Sequence, residues 1–210
     1  MNTNEIYRHI DYTNLKPTAT RHDIWSTCAD AYIYECASVC IPSHFVKFAK
    51  EHFPALDVCT VVGFPFGNST IETKIEEAKK AVEDGADEID MVINISEIKN
   101  TNYYYIAEEI SKISEVIPAD IILKVIIETC YLTDEEITIA TRIVDRSTAD
   151  YVKTSTGYGT HGASFHDIEI MKRAIRGNTK IKASGGIRTK EDMEKFLEMG
   201  CDRIGASVLP

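Results

Sequence analysis

Three lysines lie inside apolar, strand-like segments of this 210-residue chain, an unusual place for an ammonium group. They are Lys124, Lys153 and Lys182, and the segments around the last two, 151–157 and 181–186, are similar. Burial or a nearby like charge lowers the pKa of such an amine. A neutral amine can attack a carbonyl carbon and form a Schiff base. The sequence therefore predicts lysine-dependent carbonyl chemistry.

A carboxylate, Asp90, lies in a further apolar segment, residues 88–94. The two-residue period of a strand puts Glu88 and Asp90 on one face. A carboxylate among isoleucine, methionine and valine needs a cationic partner, and the lysines could supply one. Two other interpretations stay open. A strand lysine can lie at a sheet edge with its ammonium in solvent, or the group can form a structural ion-pair cluster.

Short apolar runs alternate with longer amphipathic segments along the chain, which predicts β/α repeats and a parallel sheet. The strand candidates are residues 10–15, 37–41, 57–63, 88–94, 121–128, 150–155, 180–184 and 202–207. Helical patterns occupy residues 20–32, 70–84, 103–117, 164–176 and 189–199, and a capping box begins another at 133–136. No linker divides the chain, so we predict an α/β fold, a (β/α)8 TIM barrel in one domain, 1–210. Residues 20–32 are interpreted as N-terminal helical decoration.

Barrel enzymes carry reacting groups at the C-terminal ends of their strands, and many bind phosphate after strands seven and eight. Gly185 and Gly186 follow the seventh predicted strand, and Ser207 ends the eighth. Small residues let backbone N–H groups approach phosphate oxygens, and the helix from Thr189 could direct its positive end there, with Arg188 as a further donor. The alternative is that the glycines serve only as turn residues.

Residues 157–162 match the glycine pattern G-x-G-x-x-G of dinucleotide-binding folds. Such folds also place an acidic residue about 20 positions later, at the end of the next strand. The next strand candidate here, 180–184, contains no acid, and the preceding strand carries a lysine. We therefore reject a dinucleotide site.

Composition limits the classes of partner and compartment. The net charge of −10 argues against nucleic acid or an anionic membrane as a partner. No signal peptide and no apolar run near about 18 residues is present, so we expect a cytoplasmic enzyme. The six histidines and six cysteines form no zinc-binding pattern, so we expect no metal and no cofactor. Cys40 and Cys130 follow strand candidates and either could border a pocket, with core packing as the alternative.

Several segments together resemble the deoxyribose-phosphate aldolase family. They are residues 11–17, 63–67, 86–94, 123–129, 152–157, 182–188 and 203–207. The resemblance implies a metal-free class I aldolase on a (β/α)8 barrel. It also implies reversible cleavage of 2-deoxy-D-ribose 5-phosphate to D-glyceraldehyde 3-phosphate and acetaldehyde, in deoxyribose phosphate catabolism. The partner would be this small phosphorylated sugar, and a homodimer is expected.

The resemblance also assigns residues to roles. It implies that Lys153 forms the Schiff base, that Lys182 is the neighbouring cation that lowers the pKa of Lys153, and that Asp90 donates and accepts protons. Residues expected to bind or border the substrate and its phosphate are Lys124, Thr156, Gly157, Gly185, Gly186, Ser207 and Cys40.

The chain departs from the family pattern at two points. Tyr12 stands where a histidine is expected, and the chain ends three residues after Ser207, where the family continues with a closing helix. We therefore expect a barrel in which that C-terminal helix is missing. Two rival functions stay open: another lysine-dependent barrel enzyme, such as a transaldolase, or an inactive protein that binds sugar phosphates.

Overall fold

The computed structural model describes residues 3–210 and contains a closed barrel of eight parallel strands in chain order. The strands are β1 (Ile10–Thr13), β2 (Ser38–Cys40), β3 (Val58–Val62), β4 (Glu88–Val92), β5 (Ile122–Ile126), β6 (Tyr151–Lys153), β7 (Lys180–Ser184) and β8 (Arg203–Ala206). Each strand lies within a predicted segment. The predicted (β/α)8 barrel is confirmed.

The helices surround the barrel. They are α1 (Thr3–Tyr7), α2 (Arg21–Ile33), α3 (Val46–His52), α4 (Ile71–Glu83), α5 (Ile95–Lys99), α6 (Tyr103–Val116), α7 (Asp134–Asp145), α8 (Phe165–Ala174) and α9 (Lys190–Glu198). Short 3-10 turns occupy Ser43–Phe45 and Thr129–Tyr131. Each longer helix had been predicted within a few residues, whereas α1, α3 and α5 had not.

The N-terminal region differs in detail from the sequence interpretation. The predicted segment 20–32 forms α2, which joins β1 to β2 and is therefore the first crossover helix of the barrel. The helical element that precedes β1 is α1, only five residues long. A helix this short has too little periodic pattern to be read from sequence. After β8, residues 207–210 form no helix.

Two crossover helices, α2 and α7, begin with a capping box, and the sequence predicted the second of these. Thr133 accepts a hydrogen bond from the backbone N–H of Glu136, and the Glu136 carboxylate accepts one from the backbone N–H of Thr133. The same reciprocal pair joins Thr20 and Asp23 at the start of α2. Such boxes satisfy N–H groups that the first helical turn leaves free. They fix where each crossover helix begins.

Strand alternation separates an apolar layer from a charged barrel interior. In β4, Ile89 and Met91 belong to the apolar core between barrel and helices, while Glu88 and Asp90 contact charged side chains from other strands. The register pairs Lys153 with Lys182 on neighbouring strands. The barrel therefore places these two lysines side by side, as the strand pattern predicted.

A second buried ion pair, Lys74 with Glu109, fixes the loop after β3. The Lys74 ammonium donates to Glu109 at 2.5 Å and to the carbonyl oxygens of Gly67 and Val92 at 2.7 Å. The other carboxylate oxygen of Glu109 accepts from the Asn94 backbone N–H at 3.0 Å. These bonds tie α4 and α6 to the C-terminal ends of β3 and β4, on the face where barrel active sites form.

Within residues 3–210, no helix combines the length and the apolar character needed to cross a membrane.

Candidate active site

Seven charged side chains from six strands converge inside the barrel. They are Asp11, Glu88, Asp90, Lys124, Lys153, Lys182 and Arg203. We call this set the interior cluster. Most of its side chains are fully buried, and Lys153 is 3% exposed. Burying this much charge is expensive unless every group is paired, so the cluster requires precise strand register.

Asp90 is the centre of the interior cluster. Its Oδ2 atom accepts hydrogen bonds from Lys153 and from Lys182, each at 2.6 Å. Its Oδ1 atom accepts from Lys124 at 2.9 Å and from the Cys59 thiol at 3.2 Å. Both carboxylate oxygens are therefore fully engaged by donors.

Asp11 and Glu88 complete the cluster on the side away from the strand ends. Asp11 pairs with Lys182 and with Arg203. Glu88 pairs with Lys124 at 2.5 Å and with Arg203 at 3.1 Å. Each cation that contacts Asp90, apart from Lys153, thus has a second carboxylate partner.

The environment favours the ionised forms of the central groups. Burial alone would raise the pKa of Asp90, but the ammonium groups of Lys124, Lys153 and Lys182 hold that pKa well below its ordinary value. Burial alone would lower the pKa of Lys182, but Asp11 and Asp90 raise it instead. Asp90 is therefore a carboxylate and Lys182 an ammonium at neutral pH.

The charges of the interior cluster do not balance when all of its members are ionised. Three carboxylates, Asp11, Glu88 and Asp90, face four cations, which leaves one excess positive charge. Release of a proton from one lysine makes the cluster neutral. Lys182 and Lys124 each contact at least two carboxylates, whereas Lys153 contacts Asp90 alone among the described residues. Lys153 is therefore the lysine of the cluster with the fewest carboxylate partners.

A cavity of about 660 Å³ opens at the C-terminal ends of the strands. Its wall comes from the loops after β1, β6, β7 and β8, with Thr27 of α2. Lys153 is the one member of the interior cluster that lines it, among residues 3–210. The lysine with a single carboxylate partner is thus also the one that borders the cavity. Tyr12, which replaces the expected histidine, also lines the wall.

One side of the cavity is suited to an anion. Gly185 and Gly186 have φ values of +86° and +76°, which favour glycine, and both line the cavity. The nine-residue helix α9 starts four residues later, and its N-terminus carries partial positive charge. The exposed cation Arg188 lies two residues after Gly186, and a second exposed cation, Lys16, lines the same cavity. Although the net charge of the chain is −10, this side of the cavity is locally positive.

The glycines of the rejected dinucleotide pattern have structural explanations. A Cβ atom at Gly159 would lie 2.4 Å from the Cys130 sulfur, and one at Gly162 would lie 2.0 Å from the Gly185 oxygen. Gly157 has φ +85°. The pattern therefore reflects close packing of the loop after β6 against its neighbours.

The structure places most of the predicted site residues at this cavity. Thr156, Gly157, Gly185, Gly186 and Ser207 all line it, together with Lys153. Asp90 and Lys182 lie directly behind Lys153. Their roles stay predictions, but the geometry brings them together.

Two residues predicted to contact substrate do not line the cavity. Lys124 is fully buried, and its partner in the register is Tyr151, two residues before Lys153, so it lies one layer deeper. Cys40 is fully buried beside Cys59, its register partner, with Leu15 and Phe64 packed over the two. Both residues therefore lie in the barrel interior and not at the cavity wall, where the sequence analysis had placed them.

The sequence analysis did not identify the members of the interior cluster that lie away from the C-terminal ends of the strands. Asp11 and Arg203 lie in the first and last strands, which the closed barrel makes neighbours. Glu88 was placed on the Asp90 face but not given a partner. The available signal was a charged residue in each of these short apolar strands, which called for a partner of opposite charge.

A parallel barrel whose cavity ends on a lysine amine beside a carboxylate is an arrangement suited to enzymes that act through a lysine. In sequence, residues 9–207 match the DeoC/LacD family of aldolases, and the chain belongs to that family. The chain is therefore an aldolase.

Individual relatives agree with this assignment. A deoxyribose-phosphate aldolase of Clostridium botulinum is 50% identical over 208 residues, which cover 99% of this chain and 94% of the relative. The solved structure of QR15, an aldolase, has a TM-score of 0.93 at 37% identity and covers 97% of this chain and 91% of its own. A tetrameric deoxyribose phosphate aldolase from Aeropyrum pernix has a TM-score of 0.88 at 28% identity, covering 98% and 88%.

Proposed function

We propose that this aldolase cleaves 2-deoxy-D-ribose 5-phosphate reversibly to D-glyceraldehyde 3-phosphate and acetaldehyde, through a Schiff base on Lys153. The observation that carries the proposal is the position of Lys153. Its amine lines the cavity and lies 2.6 Å from the ionised Asp90. Two of the relatives above, from Clostridium botulinum and Aeropyrum pernix, are named for this substrate, which supports the choice of sugar.

Lys153 begins the reaction in its neutral form. In this form the interior cluster carries no excess positive charge. The Nζ lone pair adds to the C1 aldehyde carbon of the open-chain sugar, and loss of water with uptake of one proton from solvent gives a protonated imine; that proton is released again when the imine is hydrolysed to neutral Lys153. The imine restores the positive charge beside Asp90 and withdraws electrons from the bond to be broken.

Asp90 becomes available as a base when the imine forms. In the resting state its Oδ2 atom accepts from both Lys153 and Lys182. The protonated imine keeps a single N–H where an ammonium has three, so the Lys153 nitrogen then offers Asp90 at most one hydrogen bond. We infer that Asp90 then takes the C3 hydroxyl proton through a water molecule. The C2–C3 bond breaks, its electrons form an enamine, and glyceraldehyde 3-phosphate leaves.

The remaining steps release acetaldehyde. The proton held by Asp90 returns to C2 of the enamine, which regenerates the imine, and water hydrolyses it to acetaldehyde and free Lys153. The cycle conserves protons and needs no additional reactant. Because the pKa of Lys182 is raised above its ordinary value by Asp11 and Asp90, despite burial, Lys182 acts as a fixed positive charge in this scheme.

The role of Lys182 differs in one respect from simple repulsion between two amines. Asp90 lies between the amines, since both donate to its Oδ2 atom, and its negative charge screens them from each other. We propose that Lys182 acts on Lys153 through the total charge of the interior cluster. Its removal would allow Lys153 to keep its proton without an excess of charge.

The substrate phosphate is proposed to bind at the Gly185–Gly186 side. Small residues, the N-terminus of α9 and the cations Lys16 and Arg188 all favour a dianion there. Ser207 lies on the same wall and offers a hydroxyl donor. The sugar then extends from this anion site to the Lys153 amine.

A substrate comparison tests the proposed function. Purified protein is incubated with 2-deoxyribose 5-phosphate and, in parallel, with fructose 6-phosphate and fructose 1,6-bisphosphate, and the aldehyde products are measured. We expect acetaldehyde and glyceraldehyde 3-phosphate from the first substrate only. Preference for either fructose phosphate would favour a transaldolase or another class I aldolase. Binding of deoxyribose 5-phosphate without any cleavage would favour an inactive binding protein.

We also propose that the enzyme is a homodimer and acts in the cytoplasm, as the sequence analysis expected. The tetrameric relative supports assembly of subunits in this family but leaves their number in this chain to measurement. Light scattering of the purified enzyme would give its mass directly. A mass of one chain would contradict the dimer.

A further inference from the structure

Glu128 combines two unusual properties directly after β5. Its backbone has φ 52° and ψ 67°, a left-handed conformation that glutamate seldom adopts and glycine adopts readily. Its side chain is 1% exposed. Strained residues of this kind persist where the surrounding structure holds them, and they occur often near functional sites.

The Glu128 carboxylate is buried without a cationic partner. Among residues 3–210, no lysine, arginine or histidine forms an ion pair with it, unlike the carboxylates of the interior cluster. Its hydrogen bonds come instead from Thr156, through the hydroxyl and through the backbone N–H at 3.2 Å, and from the Cys130 thiol at 3.8 Å. Of these two donor residues, Thr156 lines the cavity.

Thr156 connects Glu128 to the rest of the loop after β6 by hydrogen bonds. Its hydroxyl donates to Glu128 and accepts from the Tyr158 backbone N–H at 3.0 Å. Tyr158 in turn donates from its hydroxyl to the Leu15 carbonyl oxygen at 2.7 Å, on the opposite side of the cavity. The loop is held at both ends.

The same loop contacts the proposed phosphate site. Gly157 follows Thr156, and a Cβ atom built at Gly185 would lie 3.4 Å from the Gly157 Cα atom. A shift of Thr156 would therefore move Gly157 against the backbone of Gly185. Lys153 is held by the backbone and not by the Glu128 side chain, because its carbonyl oxygen accepts from the Ile127 N–H at 3.0 Å within the barrel.

We propose that Glu128 is a positioning residue that acts, through Thr156 and Gly157, on the phosphate end of the cavity and leaves the Schiff-base chemistry of Lys153 unaffected. This inference rests on the proposed function. Replacement of Glu128 should therefore weaken the binding of phosphorylated substrate and leave activity on the unphosphorylated sugar nearly unchanged.

The test compares Glu128→Gln and Glu128→Gly with wild type and with Glu135→Gln, a matched change at an exposed position of α7. Glu128→Gly removes the carboxylate while the left-handed backbone stays accessible, so this variant should fold. Three quantities are measured: KM for 2-deoxyribose 5-phosphate, kcat/KM for unphosphorylated 2-deoxyribose, and borohydride trapping of acetaldehyde on Lys153.

We expect both Glu128 variants to raise KM for the phosphorylated sugar by about tenfold or more, a factor typical of one lost polar interaction. Activity on 2-deoxyribose and trapping on Lys153 should stay within about threefold of wild type, a change of less than about 1 kcal/mol. Thr156→Val should raise KM as the Glu128 variants do, and Thr156→Ser, which keeps the hydroxyl, should restore it.

Three results would overturn the inference: an unchanged KM, an equal loss on both sugars together with lost trapping, or failure of both Glu128 variants to fold. The last two would show that Glu128 supports the whole barrel. The failure of the proposed function is distinguishable, because in that case wild type itself would not cleave either sugar.

Discussion

Lys153 and Lys182 donate hydrogen bonds to the same carboxylate oxygen, Oδ2 of Asp90, each at 2.6 Å. The shared oxygen couples the two amines, because a change in the charge of one alters what Asp90 offers the other. Only Lys153 also reaches the cavity. The two lysines therefore have equivalent positions in the sheet and different roles in the proposed chemistry.

Replacing Lys153 with alanine should abolish turnover and leave the fold intact. The variant loses the nucleophile, so we expect at least about a thousandfold loss of kcat. It also removes the excess charge of the interior cluster, so unfolding by urea should change little. Lys47→Ala, at an exposed position of α3, is the control. Activity within about tenfold of wild type would remove Lys153 from the mechanism.

Replacing Lys182 with methionine should move the acid limb of the pH–rate profile to higher pH. The reaction needs neutral Lys153, and loss of one fixed positive charge lets Lys153 retain its proton to higher pH. Lys124→Met should move the limb in the same direction, because Lys124 donates to the same carboxylate. An unmoved profile in both variants would contradict control by cluster charge.

Replacing Asp90 with asparagine should reduce both activity and stability. The variant leaves two carboxylates facing the buried cations and removes the proposed base. We expect kcat to fall by about 10²–10⁴, the range for a general base. The free energy of unfolding should fall by about 3–5 kcal/mol, as for a broken buried pair. Retained activity in Asp90→Asn would assign the proton transfer to another group.

Acid should destabilise the fold through Asp11 and Asp90. Burial opposes the charge of each, but the surrounding cations hold both pKa values below the ordinary aspartate value of 3.8. A carboxylate with a depressed folded-state pKa stabilises the fold above its unfolded pKa, and this contribution is lost as pH falls through the folded-state value. Urea midpoints should therefore be flat from about pH 5 to 8 and fall progressively below about pH 4. A midpoint that rises on acidification would contradict this sign.

The Lys74–Glu109 pair should show a large difference between single and double replacement. Burial lowers the pKa of Lys74 and raises that of Glu109, while their mutual attraction opposes both shifts. Lys74→Met leaves a buried carboxylate without its cation and should cost about 3–5 kcal/mol of unfolding free energy. Lys74→Met combined with Glu109→Leu should recover part of that loss. A double variant less stable than the single would show that the remaining backbone bonds, and not the unpaired charge, dominate.

The sequence predicted the barrel, and strand order and strand period were enough to bring Lys153, Lys182 and Asp90 together, whereas their chemical roles came from the family resemblance and stay predictions. Depth along the barrel axis is different, since it depends on register between strands. Lys124 pairs with Tyr151 and lies below the cavity, a relation that no single strand contains. Cys40 was misplaced for a related reason, because packing by Leu15 and Phe64 over it is tertiary.

The rest of the site depends on contacts between distant parts of the chain. Asp11 and Arg203 pair because β1 and β8 close the barrel, 192 positions apart in sequence. The left-handed backbone of Glu128 has no sequence signal, since Glu rarely adopts it. Such features are visible once the loops are in place, so sequence patterns alone did not indicate them.

The most direct test of the central claim is reduction with borohydride in the presence of acetaldehyde, followed by peptide mass spectrometry. The charge arrangement predicts an ethyl group on Lys153, none on Lys124 or Lys182, and no labelling in Lys153→Ala. An ethyl group on a different lysine, or full turnover with no trapped adduct, would contradict the Schiff base at Lys153.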